Sequence, residues 1–461
     1  MSDVDTRVVK ATPHKRFFID MITRDISLEA CVLDLIDNSV DGATRHTNPP
    51  SRGKRTLAPK PHPLSSGENR YQAYTIDIKF DRSSLSVSDN CGGIPIGIAC
   101  DYAFNFGRDP EAPDESATRT GIGIYGIGMK RALFKLGRYF SIESQTEDDA
   151  FTMDVDVEAW AADRDTWDMR LTPRPVKKTA KEHTVIKVTK LLAGVSQELS
   201  SPAFESRLLN AAARTFAAFL DQGLTIKVNG NKVKPMEFAF LQGHGFQPLH
   251  EQFVQKVDGQ IVDVELWAGA AATRGERPGS DEDDDASPWG WYVLCNNRVV
   301  LAADKSERTG WGLAKFPQWH PQYNGYVGII AFRSDSPFLL PWTTTKDDID
   351  AETVLYRKAR SKMQVAAREY ITYSRARKAN PTAAKKAERE AKPVRATAVS
   401  KPQSMKTPPV PGTTDGAVNI QYQKPKREVA RVAAALGDPD LSATAVGAKT
   451  FEYFYVNKVD R

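Results

Sequence analysis

The sequence predicts an α/β protein built as two layered domains, and three patterns carry that expectation. Up to about residue 192, runs with helical spacing of apolar residues alternate with short β-branched runs. From about Gln197 to Tyr373 the alternation repeats and closes on a long charged helix, Ala351 to about Arg377. Between about Ala379 and Lys426 the chain turns to Pro, Ala, Lys and Thr, with few large apolar residues.

Each element follows from a local signal. Thr12-Pro13 marks a helix start, with proline at the first helical position. A second helix is expected over about Ser27–Ala43. Tyr74–Phe80 and Leu85–Ser88 read as strands. The Pro-, Ser-, Gly- and Lys-rich stretch Asn48–Asn69 reads as a surface insertion. In the second region a helix over Ala203–Leu220 precedes a strand, Leu224–Val228, and the hairpin signal Asn229-Gly230. Strand-like runs recur at Val262–Trp267, Trp291–Leu294 and Gly325–Phe332, and the acidic loop Asp281–Asp285 reads as solvated. Residues 379–426 lack the apolar content to fold and are expected to be a disordered basic linker. The last stretch, 427–461, regains apolar residues, and Phe451–Val456 is expected to form a strand or docking segment.

Composition excludes several classes. The 461 residues are 41% hydrophobic and 26% charged, ordinary for a soluble globular chain. No run of about 18 apolar residues would span a membrane, and Met1–Lys15 lacks the apolar stretch of a secretory signal. Cys31, Cys91, Cys100 and Cys295 form no CxxC pair, which argues against a zinc site or a disulfide framework. A cytoplasmic location is the expectation. The net charge of +5 is unevenly spread: Arg375–Ala430 holds 13 Lys and Arg against 4 Asp and Glu, an excess of +9, so the rest carries −4. Basicity sits in the tail, not over a uniformly basic nucleic-acid-binding fold.

Three motifs carry chemistry. In Leu28–Asp41, the residues Leu28, Val32, Leu35, Ile36 and Ser39 lie on one helical stripe, while Asp34, Asn38 and Asp41 fall at i, i+4 and i+7 on another. Small oxygen-bearing side chains one turn apart suit a hard cation such as Mg²⁺, and a carboxylate one turn away suits a water to be oriented or deprotonated. Read alone, the segment is better described as an amphipathic surface helix with its acids in solvent. In Ser88-Asp89-Asn90-Cys91-Gly92-Gly93-Ile94-Pro95, an Asp following a strand can accept from an exocyclic amine, and the glycines let backbone approach a flat ligand. In Arg119–Leu133, glycines at 121, 123, 126 and 128 lead into a helical pattern from about Met129, an arrangement that cradles phosphates. The stretch matches neither GxxxxGK[ST] nor a Rossmann GxGxxG.

In this order the three motifs resemble the signature of the GHKL ATPases, the superfamily of gyrase, the ninety-kilodalton heat-shock chaperone, histidine kinases and MutL. The resemblance implies that Asp34 stands at the catalytic acid's place, where the family carries Glu, and that Asn38 binds Mg²⁺. It implies that Asp89 binds the adenine amino group, with Gly93 and Ile94 beside it and Cys91 where the family's first glycine stands. Gly121, Gly123, Gly126, Gly128, Met129 and Lys130 match the lid and phosphate contacts. Thr184, in His183–Val188, matches a threonine near adenine, with His183 where Gly is common. Pro341–Asp348 lies where MutL- and MORC-type proteins place a transducer loop, so Lys346 is the expected γ-phosphate lysine. Asn296–Val300 and Tyr326–Ile330 resemble transducer strands of the MORC type.

The implied organisation is a Bergerat-type α/β sandwich over 1–192, a ribosomal-S5-like α/β transducer over 197–373, the linker 379–426 and a short segment 427–461. The implied cofactors are ATP and Mg²⁺, and the implied activity is slow ATP hydrolysis. A lid, about Ala103–Gly128, would close over ATP and carry Lys346 in. The implied assembly is a homodimer formed on ATP binding, acting as a clamp, with DNA as a candidate partner for the basic tail. Asp is one methylene shorter than Glu, so an ATP-binding scaffold without turnover is the alternative. Glu29, five residues before Asp34, points about 140° away and is a poor substitute. A histidine kinase would need an acceptor His on a helical hairpin upstream, where only His14 lies.

Overall fold

The computed structural model describes residues 13–47, 69–107, 121–123, 125–164, 166–272, 288–399, 401–409 and 423–458. Thr12, the expected insertion up to residue 68, the acidic loop Asp281–Asp285 and lid residues 108–120 and 124 lie outside them. The chain divides into two compact units, Met1–Val410 and Pro411–Arg461.

The first unit is a mixed α/β assembly on two main sheets. Helix α1, Lys15–Thr23, begins two residues past Pro13, and helix α2 runs over Leu28–Thr47. Strands β1, Thr75–Phe80, and β2, Ser84–Asp89, form an antiparallel pair. Helix α3, Gly128–Leu136, follows the glycine-rich stretch. Next come β3, Gly137–Gln145, β4, Ala150–Asp156, β5, Leu171–Arg174, and β6, His183–Leu191. Helix α4, Pro202–Thr215, leads to β7, Thr225–Val228, and the two-residue β8, Asn231–Lys232. These strands make one eight-stranded sheet in the order β5-β4-β3-β6-β2-β1-β7-β8.

The first sheet does not stop at the expected boundary near residue 192. β7 pairs in parallel with β1, Ile76 opposite Ile226 and Ile78 opposite Val228, so the layer extends to about residue 233. The Asn229-Gly230 turn lies where expected: both residues have positive φ, 48° and 85°, which matches the twist of a tight hairpin. The single helix expected over Ala203–Leu220 is broken at Phe216, which leaves helical geometry. The break divides two cores: Phe216 and Phe219 belong to the larger one, which includes residues of both main sheets, whereas Ala217 and Ala218 belong to a smaller one against the second sheet.

The second main sheet contains β10, Leu249–Val257, β11, Gln260–Ala270, β12, Gly290–Cys295, β13, Arg298–Asp304, and β14, Tyr326–Ser334. Its order is β10-β11-β14-β12-β13, with β12 and β14 parallel. β12 and most of β14 are buried on both faces, which is why these runs are continuously apolar and not alternating. Ile330 and Phe332 face helix α5, Val354–Ala379, through Tyr356, Ala359 and Met363. Ile329 and Ala331 face Phe238, Ala217 and Val399.

Residues 379–409, expected to belong to a disordered linker, are ordered. Asn380 caps α6, Pro381–Glu390, by accepting from the Ala383 amide. Tyr373 and Arg377 both donate to Glu388, at 2.8 and 2.7 Å. Strand β15, Lys392–Arg395, pairs with β9, Ala239–Gln242, and residues 403 and 406 bridge to His250 and Gln247. The composition misleads because small residues fill the contacts: Ala384, Ala391, Ala396 and Val399 are buried, and backbone pairing needs no large side chain. Residues 410–422 lie outside the described part.

The second unit consists of helices Lys426–Ala435 and Ala443–Lys458. Phe451–Val456 is therefore helix and not strand. Its aromatic residues fall one turn apart as readily as they alternate, and the Phe451 and Tyr455 rings lie 6.4 Å apart. Among the described residues, no helix is long and apolar enough to cross a membrane. All four cysteines are free.

The sheet boundary generates a prediction. A fragment ending at Leu192 loses α4, whose Phe204, Leu208 and Ala212 are buried, and the parallel partner of β1. It should melt without a cooperative transition in circular dichroism. A fragment ending after Val233 keeps the eight-stranded sheet and should melt cooperatively.

Candidate functional site

Helix α2 begins on a cap in which Ser27 Oγ accepts from the Ala30 amide at 3.1 Å. It is not a surface helix. Cys31, Val32, Leu35, Ile36 and Val40 are fully buried, and so are the acids: Asp34 is 2% exposed, Asp37 0% and Asp41 9%. A carboxylate so far from water must be paired or served by hydrogen bonds, and each of the three is, by a different route.

Asp34 Oδ2 accepts from Arg131 Nη2 at 2.6 Å, and Lys346 Nζ stands 3.7 Å from its Oδ1. Asp37 takes Arg298 Nε on both oxygens, at 2.9 and 3.2 Å, and Lys346 Nζ on Oδ2 at 2.9 Å. Burial alone would raise the Asp37 carboxyl. The Arg298 and Lys346 charges outweigh it and hold the group below the usual carboxylate range. Asp41 accepts from the Ile122 and Gly123 amides, both at 2.7 Å, so it anchors the start of the glycine-rich stretch. Burial pushes its carboxyl up against those two bonds. Glu29 points elsewhere and pairs with Arg207 at 2.7 Å.

The glycines of the lid are placed for close approach. A Cβ on Gly128 would stand 3.1–3.4 Å from the Asp34 carboxyl atoms, and one on Gly123 would stand 2.9 Å from Asp41 Oδ2 and 3.5 Å from Asn38 Oδ1. Gly126 has φ +65°. Gly121 O accepts from Asn296 Nδ2 of the second sheet at 3.3 Å. Met129 is buried in the first turn of α3. Lys130 Nζ donates to the Ala103 and Asn105 carbonyls at 2.8 and 2.6 Å, tying down the start of the lid.

Asn38 donates from Nδ2 to the Asp34 carbonyl at 2.8 Å, which fixes the amide and turns Oδ1 toward Gly123. Among the described residues no group of three or more His, Cys, Asp or Glu is arranged to hold a metal ion. A divalent cation here would take Asn38 Oδ1 together with phosphate and water oxygens, the pattern magnesium favours.

A second cluster forms where β2 ends. Asp89 Oδ2 accepts from Ser39 Oγ at 2.6 Å and Oδ1 from the Cys91 amide at 2.9 Å. Burial outweighs both bonds and raises the Asp89 carboxyl. Thr184 lies directly opposite on β6. Ser144 Oγ accepts from the Ile94 amide at 2.7 Å and lies 3.5 Å from Thr184 Oγ1. Gly93, at φ +69°, would drive a Cβ to 2.2 Å from the Gln145 carbonyl oxygen. The expected base-binding residues are thus brought to one corner of the first sheet.

Lys346 reaches α2 from a loop of the second half, where its backbone has φ 56°. Its Nζ donates to Asp37 Oδ2 at 2.9 Å. Asp37, Arg131, Arg298, Ser39 and Ser144 were not singled out in the sequence. The signal for Asp37 was there, since a carboxylate interrupts the Leu35-Ile36 apolar stretch just where the helix should bury.

The family model described as histidine kinase-, DNA gyrase B- and HSP90-like ATPase matches residues 26–188, a span that holds Asp34, Asn38, Asp89, the lid glycines and Thr184. No curated protein matches the chain.

The glycine geometry is testable. Gly93→Ala should cost about 1–3 kcal/mol for the left-handed backbone alone, and more for the meeting with a rigid carbonyl. Gly97→Ala, four residues on with nothing within 4 Å of its Cβ, should change stability by less than about 0.5 kcal/mol. Urea denaturation of the two variants checks the contrast.

Proposed function

Because the chain carries over residues 26–188 a domain of the GHKL ATPase family, and with it an ATP-binding fold, we propose that it hydrolyses ATP slowly with Mg²⁺. The observation that carries this reading is the meeting of Asp34 with Lys346, which comes from about 300 residues further along the chain. Asp34 and Asp37 face three cations, Arg131, Arg298 and Lys346.

In this mechanism Asp89 accepts from the adenine amino group, with Gly93, Ile94 and Thr184 lining the base. The amides and helix end at Gly121–Met129 face the phosphates. Asn38 Oδ1 would hold the metal, which when bound supplies charge neutralisation on the phosphate oxygens. Arg131 occupies Asp34 Oδ2, leaving Oδ1 to orient water and take its proton as the water oxygen bonds to phosphorus. The bond to the bridging oxygen breaks, and Lys346 stabilises charge on the transferring group. Lys130 serves the lid through the 103–105 carbonyls.

Residues beyond about 233 act as the transducer, and the working unit is a cytoplasmic homodimer that closes as a clamp on ATP. Phe17 and Met21, exposed one turn apart on α1, give an apolar face for the second copy. Duplex DNA, held through the basic residues after Arg375, is the proposed partner. A scaffold that binds ATP without turnover is the second reading. The 2.6 Å bond from Arg131 to Asp34 favours it, because it competes for the carboxylate that must serve water.

Two measurements decide between these readings. Lys346→Ala should cut steady-state phosphate release by about 10²-fold or more, as loss of one preorganised donor does, with a much smaller change in ATP affinity. Asn38→Ala should remove Mg²⁺-dependent turnover. Normal turnover in either variant excludes the proposed role of that residue.

Base recognition has its own pH signature. Asp89 must be ionised to accept from the amine, and burial raises its carboxyl. Acidification should therefore weaken ATP binding with a midpoint above the usual carboxylate value of about 3.9. Asp89→Asn should bind about ten- to a hundredfold more weakly, the equivalent of roughly 1.5–3 kcal/mol, and should lack that titration in calorimetry.

A further inference from the structure

Asp37 has no part in the chemistry proposed above, yet it is fully buried and carries two cations. We infer that Asp37 and Arg298 are positioning residues that fix Lys346 at the reacting end of the pocket, gripping it by its ammonium and by its own carbonyl. The inference rests on the reading of Lys346 as the lysine that faces the terminal phosphate.

The geometry is a closed ring of three residues. Lys346 Nζ donates to Asp37 Oδ2 at 2.9 Å, and Arg298 Nε donates to both Asp37 oxygens, at 2.9 and 3.2 Å. Arg298 Nη1 then donates to the Lys346 carbonyl oxygen, which closes the ring. Two corners are rigid. Asp37 sits in the middle of α2, and Arg298 opens β13 directly after the left-handed Asn296-Asn297 turn.

The third corner needs that support. A lysine side chain has several rotatable bonds and loses rotamer freedom when fixed. Lys346 has a left-handed backbone that a side-chain-bearing residue adopts at a cost. Its loop gives it one backbone bond, from its amide to the Thr343 carbonyl at 3.0 Å. The ring supplies the remaining restraint.

The same geometry argues against other roles for Asp37. Both of its oxygens already accept from cations, which a water would have to displace or share. Among the described residues it belongs to no metal-binding group of three. Its charge offsets those of Arg298 and Lys346 in a buried place.

A purely structural ion pair and a positioning device differ in what they change. The test uses the full chain, ATP and Mg²⁺, and compares wild type, Asp37→Asn, Lys346→Ala and the double variant for kcat, KM, ATP affinity and melting temperature. Asp37→Asn should lower kcat by about tenfold or more, the order that small misplacement costs, with ATP affinity changed less than about threefold. In the Lys346→Ala background it should lower kcat by less than about twofold further, because the two act as one unit. Arg298→Lys keeps the charge beside Asp37 but cannot span both carboxylate and carbonyl. It should also lower kcat with affinity kept, and it serves where Asp37→Asn is poorly folded. Full kcat per folded molecule in Asp37→Asn or Arg298→Lys, or losses that add in the double variant, would overturn the inference. Wild type without turnover, or normal turnover in Lys346→Ala, would instead overturn the ATPase reading beneath it.

Discussion

The burial of three carboxylates along one face of α2 is the constraint from which the rest of the site follows. Leaving any one unpaired would be costly, since removing one partner of a buried ion pair costs about 3–5 kcal/mol. Asp41 is served by the Ile122 and Gly123 amides, and the cations that offset Asp34 and Asp37 come from far apart in the chain. Arg131 arrives on α3, and Arg298 and Lys346 arrive from the second sheet and its loop. The two sheets are therefore joined by charge at the place where the chemistry is proposed. A displacement of one sheet relative to the other must change the surroundings of Asp34 and Asp37.

The base-binding corner is built on a different principle. There the backbone does the positioning. Asp89 is held by one hydroxyl and one amide, Ile94 is tied to Ser144, and Gly93 lies against the Gln145 carbonyl with no room for a side chain. Gly42 repeats the theme from the helix side, where a Cβ would stand 2.5 Å from the Cys91 oxygen. The rigidity of this corner contrasts with the phosphate end, where long charged side chains meet.

Much of this was legible in the sequence because it is local. The spacing of Asp34 and Asn38, the Asp89 turn and the lid glycines lie within short stretches whose periodicity or turn chemistry shows on inspection. What escaped was relational. Arg131 and Arg298 look like ordinary charges until the fold brings them to α2. Asp37 showed only as a carboxylate breaking an apolar stretch, because a helix buried along most of its length has no solvent face on which to place an acid. The boundary near residue 192 failed for the same kind of reason: a parallel strand pairing between β1 and β7, about 150 residues apart, leaves no local trace. Residues 379–409 failed because order there comes from backbone pairing and alanine contacts, which composition does not weigh.

That last segment has a consequence for the second sheet. β10 is its outermost strand, and an uncovered outer strand is a template for pairing with another chain. Residues 403 and 406 lie along it and near it, exchanging backbone bonds with His250 and Gln247. The tail after β15 thus works as a selvedge, the finished border that keeps a woven edge from catching. A chain shortened to residue 400 would keep the carboxylate cluster of α2 and lose this border, and its hazard would be self-association through β10.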